Sequence, residues 1–156
     1  MTHPFGGGYY DKEFSEWTIS FIDQARQGKF TILLSDVTIG ELQDAPEKVR
    51  DLPEAIPSSN LELVNITEEQ LNLADKYVME GALTQKYHSD AQHISMSTIL
   101  KVDSLVSWNF KHMVNCFRIK QYNLINVKFG YSIIDIRTPK EVTYEDTVRC
   151  TNKSGQ

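Results

Sequence analysis

Hydrophobic positions along the chain predict helices that alternate with short strands. Between Asp11 and Gly28 the apolar residues recur every three or four positions, which is typical of one buried helix face, and Gly28 is a natural stop. The stripe consists of Phe14, Trp17, Thr18, Phe21, Ile22 and Ala25. The run from Phe30 to Ser35 is short, continuous and apolar, and this pattern predicts a buried strand.

The same alternation continues in the middle of the chain. Ser35 and Asp36 can both cap a helix that runs from Val37 to about Asp44. The elements predicted next are a short helix from Glu47 to Leu52 between Pro46 and Pro53, a strand from Leu61 to Asn65, and a helix that Thr67 and Gln70 open with a capping box and Gly81 ends.

The stretch from Tyr87 to His112 combines structural and chemical signals. Asp90 opens a predicted helix, and one face of that helix is small or β-branched, which favours close packing against a sheet. That face consists of Ala91, Ile94, Ser95 and Thr98. A buried strand is predicted from Val102 to Trp108, with Asn109 at its end. The last predicted elements are a helix from Phe110 to Tyr122, a strand from Tyr131 to Ile136 and a helical turn that begins at Thr138 and includes Glu141.

Strands that alternate with helices predict a three-layer α/β fold with a mostly parallel central sheet. We expect a single domain over residues 1–142 and a polar, flexible tail over residues 143–156. Such a chain normally opens with a strand, whereas this one opens with a glycine loop, Phe5 to Tyr10. That loop lacks the Gly-Lys-Ser/Thr sequence of a phosphate-binding P-loop, so it does not predict nucleotide binding.

The composition argues against several classes of protein. The 156 residues carry a net charge of −5 with a pI near 5.3, which argues against a protein that coats duplex nucleic acid. No apolar run approaches the roughly 18 residues that a membrane span needs, and the first residues lack the pattern of a secretory signal. Cys116 and Cys150 lack metal-type spacing and are interpreted as reduced thiols, so we expect a cytoplasmic protein without a membrane partner.

Three polar residues, Glu41, Asp90 and Asn109, lie at predicted strand ends or first helix turns. In a parallel sheet such positions converge on one edge. Clustered carboxylates repel each other unless a proton or cation neutralises them, and hard oxygen ligands suit Mg²⁺ or Mn²⁺. The alternative to a metal site is a structural role, in which Glu41 and Asp90 interact favourably with the positive ends of their helix dipoles. Each such interaction stabilises the helix by about 0.3–1 kcal/mol.

Three runs of the sequence resemble PIN-domain proteins, and in particular the VapC-like toxin ribonucleases. They are Ser35 to Pro46, Ser89 to Ile94 and Val102 to His112, and the similarity extends from about Phe5 to Val142. The resemblance implies a PIN-like fold and a metal-dependent endoribonuclease that hydrolyses single-stranded RNA as the toxin of a type II toxin–antitoxin pair. It implies RNA as substrate, an antitoxin protein as partner, a homodimer, and Mg²⁺ or Mn²⁺ as cofactor.

Residue by residue, the resemblance assigns metal binding to Glu41 and Asp90, and it matches Asn109 to a fourth position that is Asp or Asn in the family. The family pattern begins with a hydrophobic strand that runs into Asp-Thr, whereas Met1 and Thr2 stand there in this sequence. The N-terminal strand and its acid are thus expected to be absent, which would expose apolar faces and leave two strand edges unpaired. The missing acid also removes a metal ligand.

Two further hypotheses follow. The first is a catalytically inactive, truncated PIN-like module that acts by binding protein or RNA. The second is a phosphotransfer domain on a similar layered fold, which acetyl-phosphate labelling of Asp90 would reveal.

Other polar residues have a structural and a functional interpretation. His93 follows Asp90 by three positions and can face the same site, although a packing role is the commoner one. Four basic side chains after the predicted strand can contact a phosphate backbone or simply form a solvated helix face: Lys111, His112, Arg118 and Lys120. Trp108 is interpreted as a core residue rather than a base-stacking platform.

Overall fold

The computed structural model describes residues 12–44 and 47–143. Its first helix, α1 (Lys12–Arg26), agrees with the predicted one and is followed by a turn at Gly28. Gly28 has φ +84°, a backbone conformation that glycine adopts without a steric penalty. The strand β1 (Ile32–Ser35) comes next, as predicted. Asp11, the glycine loop and the tail beyond Thr143 lie outside the described residues.

The remaining elements keep the predicted order. They are α2 (Asp36–Gln43), α3 (Glu47–Arg50), β2 (Leu61–Val64), α4 (Glu68–Met79), α5 (His88–Ile99), β3 (Leu105–Val106), α6 (Cys116–Lys128), β4 (Ile136–Arg137) and α7 (Pro139–Val142). Short 3₁₀ turns occupy Leu52–Ala55, Ser58–Asn60 and Gln85–Tyr87. No helix in the described ranges is long and apolar enough to cross a membrane.

Local capping explains where several helices begin. The Ser35 hydroxyl accepts a hydrogen bond from the Thr38 backbone N–H at 3.1 Å. Thr67 and Gln70 form the predicted capping box at the start of α4, and Thr138 and Glu141 form another at α7. Each box satisfies two backbone groups that the first helical turn leaves without partners.

The strands of residues 12–44 and 47–143 form two separate two-stranded sheets. β1 pairs with β2 in parallel, with Ile32 opposite Leu61, and β3 pairs with β4 in parallel, with Leu105 opposite Ile136. The mixed helix–strand composition and the parallel pairing agree with the α/β prediction. One continuous central sheet is not formed by these residues, and a cavity of about 820 Å³ is lined both by residues of β1 and by residues just before β3.

Three predicted boundaries near the C-terminal half are wrong. The helix predicted from Phe110 begins at Cys116, because Asn115 caps it by accepting a hydrogen bond from Arg118 N–H at 3.1 Å. The strand predicted over residues 102–108 pairs only at Leu105–Val106, and the strand predicted over residues 131–136 is shifted to Ile136–Arg137. β3 and β4 are short because they pair with each other over only two residues each.

The largest hydrophobic cluster lies where α4, α5 and α6 meet β3 and β4. Its members include Leu73, Ala74, Tyr77, Ala91, Ile94, Leu105, Met113, Tyr122 and Ile136. The small face predicted for α5 is buried, but the main neighbour of α5 is the helix α4 rather than a sheet. A second cluster, around Phe21 and Ile22 of α1, lies beside Ile56 and Val106.

Candidate functional site

Glu41 and His93 connect two helices that are distant in sequence. Glu41 lies on α2, which begins directly after β1, and His93 lies on α5. The imidazole Nε2 of His93 and the Oε1 atom of Glu41 form a hydrogen bond. The His93 ring is almost completely buried and the Glu41 carboxylate is partly exposed, so the contact holds the acid at the rim of the site.

Asp90 lies one helical turn before His93, in the first turn of α5. The residue is only 7% exposed, and burial raises the pKa of its carboxyl group to about 6. The negative charge of Glu41 pushes the pKa further up, whereas His93 and the hydrogen bond from Asn109 lower it. Two carboxylates therefore influence each other across α2 and α5, as expected for acids that share a site.

Asn109 follows β3 and orients Asp90. Its Nδ2 atom donates a long hydrogen bond of 3.4 Å to Asp90 Oδ2. Its Oδ1 atom accepts from the backbone N–H groups of Lys111 at 3.1 Å and His112 at 2.9 Å. Because this oxygen already serves two backbone donors, the amide acts here as a donor to Asp90 rather than as an oxygen ligand.

The structure therefore places Glu41, Asp90 and Asn109 near one another, although in the described residues the strands before Glu41 and Asn109 belong to two separate sheets rather than to one sheet edge. It adds His93, which the sequence interpretation favoured as a packing residue. The available signal was its spacing of three from Asp90, which puts both side chains on the same helix face.

Two neighbouring carboxylates fit a hard divalent cation. Mg²⁺ is commonly held by one or two carboxylates, and it retains several waters. In the described part of the chain, no group of three or more His, Cys, Asp or Glu side chains is arranged to hold a metal ion. The donor set thus suits an ion that takes two protein carboxylates and fills its other positions with water or phosphate oxygens.

Asp36 has a structural role next to this site. Its Oδ1 atom accepts from Val37 N–H at 2.9 Å and from Ile66 N–H at 3.2 Å. The second bond ties the start of α2 to the residues just after β2. It therefore helps to fix the helix that carries Glu41.

The basic residues after β3 do not form one solvated face. His112 is 6% exposed, and its ring lies 4.0 Å from the Tyr87 ring, centroid to centroid. Among the described residues neither ring nitrogen of His112 has a hydrogen-bond partner. Arg118 donates to the Ala82 carbonyl at 2.8 Å, whereas Lys111 and Lys120 are exposed and remain accessible to a phosphate.

Trp108 belongs to the core, as predicted. It is 4% exposed, and its indole N–H donates to the Thr18 hydroxyl at 2.7 Å. This bond joins α1 to the end of β3. Base stacking on this ring is excluded by its burial.

Comparison with known proteins gives no relative: no protein-family model, no curated protein and no solved structure matches the chain. Function is therefore inferred from the contacts of this chain and from the resemblance of its motifs.

Proposed function

We propose that the protein is a metal-dependent endoribonuclease of PIN type that hydrolyses phosphodiester bonds in single-stranded RNA. The observation that supports this proposal is the proximity of Glu41, Asp90 and Asn109, which lie on α2, on α5 and just after β3. The proposal includes a role as the toxin of a type II toxin–antitoxin pair, with an antitoxin partner, a homodimer and a cytoplasmic location. A three-layer PIN fold belongs to the same proposal.

In this proposal Glu41 and Asp90 hold Mg²⁺ or Mn²⁺. Such an ion lowers the pKa of a water and neutralises charge on the phosphate. The residues of the chain prepare the site for it: Asn109 orients the Asp90 carboxylate, and His93 orients the Glu41 carboxylate. The exposed Lys111 supplies a positive charge next to Asn109 for the RNA backbone.

The test is cleavage of a single-stranded RNA in the presence of Mn²⁺. We expect Glu41→Gln and Asp90→Asn each to reduce the rate by at least about a hundredfold, since even indirect changes around a metal cost 10- to 100-fold. Glu68→Gln is the matched control, because Glu68 is an exposed acid in the first turn of α4. Unchanged cleavage in both site variants would reject the nuclease assignment.

A second candidate function is a catalytically inactive module that binds protein or RNA. The observation that favours it is the lack of a third metal-binding side chain beside Glu41 and Asp90 in the described ranges. The discriminating experiment compares the present chain with a version that carries an N-terminal apolar strand ending in Asp. Cleavage of RNA by the extended version alone would support the enzyme proposal. If neither version cleaves RNA or binds Mn²⁺ in calorimetry, the binding-module proposal is supported.

A further inference from the structure

We propose that Lys86, Tyr87 and Lys111, here called the Tyr87 patch, bind one nucleotide of a single-stranded RNA, with its base against the tyrosine ring and its phosphate at the lysines. The inference deepens the proposed function and rests on it for the identity of the ligand. The Tyr87 patch adjoins the candidate site, because Tyr87 lies three residues before Asp90 and the Lys111 backbone N–H bonds the Asn109 side chain.

Two lysines from separate segments converge on the Tyr87 ring. The Nζ atoms of Lys86 and Lys111 lie 5.6 and 5.7 Å from the ring centre. Both residues are exposed, and neither forms an ion pair with a residue in the described ranges. Because the whole chain carries a net charge of −5, two uncompensated cations around one ring mark a local site for an anion, and lysine is a common phosphate-binding side chain.

The Tyr87 ring is supported by the buried imidazole of His112. The two ring centres lie 4.0 Å apart, and the ring planes are inclined by 39°. Neither nitrogen of this imidazole has a hydrogen-bond partner in the part of the chain that the structure describes. His112 therefore acts on Tyr87 through ring packing, which holds the tyrosine in a defined orientation before any ligand arrives.

One side chain fixes this support relative to the carboxylate of the candidate site. Asn109 Oδ1 accepts from the backbone N–H groups of His112 and Lys111, and Asn109 Nδ2 donates to Asp90. The His112 carbonyl in turn accepts a hydrogen bond from the buried Tyr122 hydroxyl. A nucleotide bound at the Tyr87 patch would therefore be held at a fixed offset from Asp90, as a positioning subsite requires.

The chemistry of the Tyr87 patch favours a nucleotide over other anions. Tyr87 is partly exposed, whereas Trp108 is buried and cannot contact a base. Every base has a flat π-face that stacks on an aromatic side chain, and the adjoining phosphate is neutralised by lysine. Stacking requires an unpaired base, so the ligand is a single strand. An acidic peptide would use the lysines but gain nothing from the ring.

The chain contains a matched control for this arrangement. Lys76 and Lys128 lie 4.5 and 5.4 Å from the centre of the Phe129 ring. Lys128, however, forms an ion pair with Glu80. The same residue types thus surround a second ring with one charge already neutralised, and we expect this ring to contribute little to RNA binding.

The experiment measures binding of a fluorescently labelled single-stranded oligouridylate to the full chain by anisotropy, over a range of salt concentrations and without divalent cations, so that cleavage does not interfere. Each phosphate neutralised on a single strand contributes about 0.7 to the slope of log K against log salt. We expect Lys86→Ala and Lys111→Ala each to lower the magnitude of the slope by about 0.7. Lys76→Ala and Lys128→Ala should leave the slope unchanged.

Variants of the tyrosine test the stacking contact. Tyr87→Leu keeps an apolar side chain against His112 but removes the flat ring, and we expect it to weaken binding about fivefold or more with an unchanged salt slope. Tyr87→Phe keeps the ring and should bind like the wild type. Circular dichroism establishes that both variants are folded, and the surface lysine variants test the phosphate contacts independently of them.

Three results would overturn the proposal. Wild-type affinity in Tyr87→Leu would show that no base stacks on the ring. Equal slope changes in all four lysine variants would assign binding to general surface charge. Binding of a polyglutamate peptide as tight as that of the oligouridylate would assign the Tyr87 patch to an acidic protein.

Failure of this inference is distinguishable from failure of the proposed function. RNA binding that depends on the Tyr87 patch, without cleavage in Mn²⁺, would reject the nuclease and retain the nucleotide subsite. Cleavage in Mn²⁺ with the same KM in the wild type and in the variants of Lys86, Tyr87 and Lys111 would retain the nuclease and reject the subsite.

Discussion

Burial gives the Asp90 carboxyl group its unusual chemistry. A carboxylate that leaves water for a mostly apolar site loses hydration, and its protonated form is favoured. His93 lowers the pKa by more than the like charge of Glu41 raises it, and the hydrogen bond from Asn109 lowers it further, so burial accounts for the net rise. A proton and a divalent cation therefore compete for the same oxygen atoms, and metal affinity should fall as the pH drops below about 6.

We predict a pH-dependent stability difference between the wild type and Asp90→Asn. The pKa of Asp90 is about 6 in the folded protein against 3.8 ordinarily, so between these values the folded state binds the proton and the unfolded state does not. The free energy of unfolding of the wild type, relative to Asp90→Asn, should thus rise by up to about 3 kcal/mol as the pH falls through this window. Urea denaturation of both proteins from pH 7 to pH 4 measures this difference in the free energy of unfolding. A difference that stays constant over this pH range would contradict the prediction.

A buried hydroxyl joins three helices. Tyr77 of α4 donates to Asn126 Oδ1 of α6, and it lies 3.4 Å from the Thr98 hydroxyl of α5. Asn126 also donates to Thr98 at 3.3 Å. Tyr77, Thr98 and Asn126 are all nearly inaccessible to solvent, so water cannot replace a lost partner.

We predict that Tyr77→Phe lowers the free energy of unfolding by about 1–3 kcal/mol, the cost of leaving buried polar groups unpaired. Tyr131→Phe is the control. It removes a hydroxyl that bonds Glu69 at 3.0 Å on the surface, and its effect should stay within about 0.5 kcal/mol. Equal losses in the two variants, measured by urea denaturation, would show that burial of the network is unimportant.

Helix starts could be predicted because their signals are local. Thr67 with Gln70 and Thr138 with Glu141 carry both halves of a capping box within four residues. The start of α6 was missed, although Asn115 is a good capping residue, because the apolar pattern after Asn109 also fits a helix. Strand lengths were overestimated because they depend on a partner strand, and no local pattern contains that information.

We predict that Thr67→Ala destabilises the protein by about 1 kcal/mol, because it removes the cap on the Gln70 N–H. Thr84→Ala is the matched control: Thr84 also precedes a helical turn, but its side chain makes no capping bond. Thermal unfolding of both variants should separate them. A loss in Thr84→Ala as large as that in Thr67→Ala would contradict the capping explanation.

The sequence predicted that Glu41, Asp90 and Asn109 lie near one another, and Asp90 does contact Asn109 and interact electrostatically with Glu41. The single sheet edge on which that prediction rested is not formed by the described residues, whose strands belong to two separate sheets. The sequence could not predict that His93 bonds Glu41 or that the His112 ring is buried, since both depend on how separate helices pack side by side.

The described residues form two strand pairs, and the candidate site takes residues from segments that follow strands of both pairs. Glu41 follows β1 on α2, whereas Asn109 follows β3, and Asp90 lies on α5, the helix just before β3. The Trp108–Thr18 hydrogen bond also connects β3 to α1. A cation bound by both carboxylates would therefore stabilise the arrangement of the two pairs.

We predict that Mn²⁺ stabilises the folded protein, by about 2.7 kcal/mol at a free concentration of 100 times its Kd. Glu41→Gln and Asp90→Asn should each remove most of this gain, and Glu68→Gln should retain it. Differential scanning calorimetry with and without Mn²⁺ measures the effect. The same gain in all four proteins would place the ion away from Glu41 and Asp90.

The His112 ring, which packs against Tyr87, makes the stability of the protein depend on pH in the direction opposite to Asp90. Burial lowers the pKa of His112, and the positive charges of Lys111 and Arg118 lower it further. The unfolded chain therefore takes up this proton before the folded one does, and acidification below the ordinary histidine range favours unfolding. The raised pKa of Asp90 acts in the opposite direction, because the folded state then binds a proton more tightly than the unfolded state. The intact protein should therefore tolerate mild acid better than a variant that lacks the Asp90 carboxyl group.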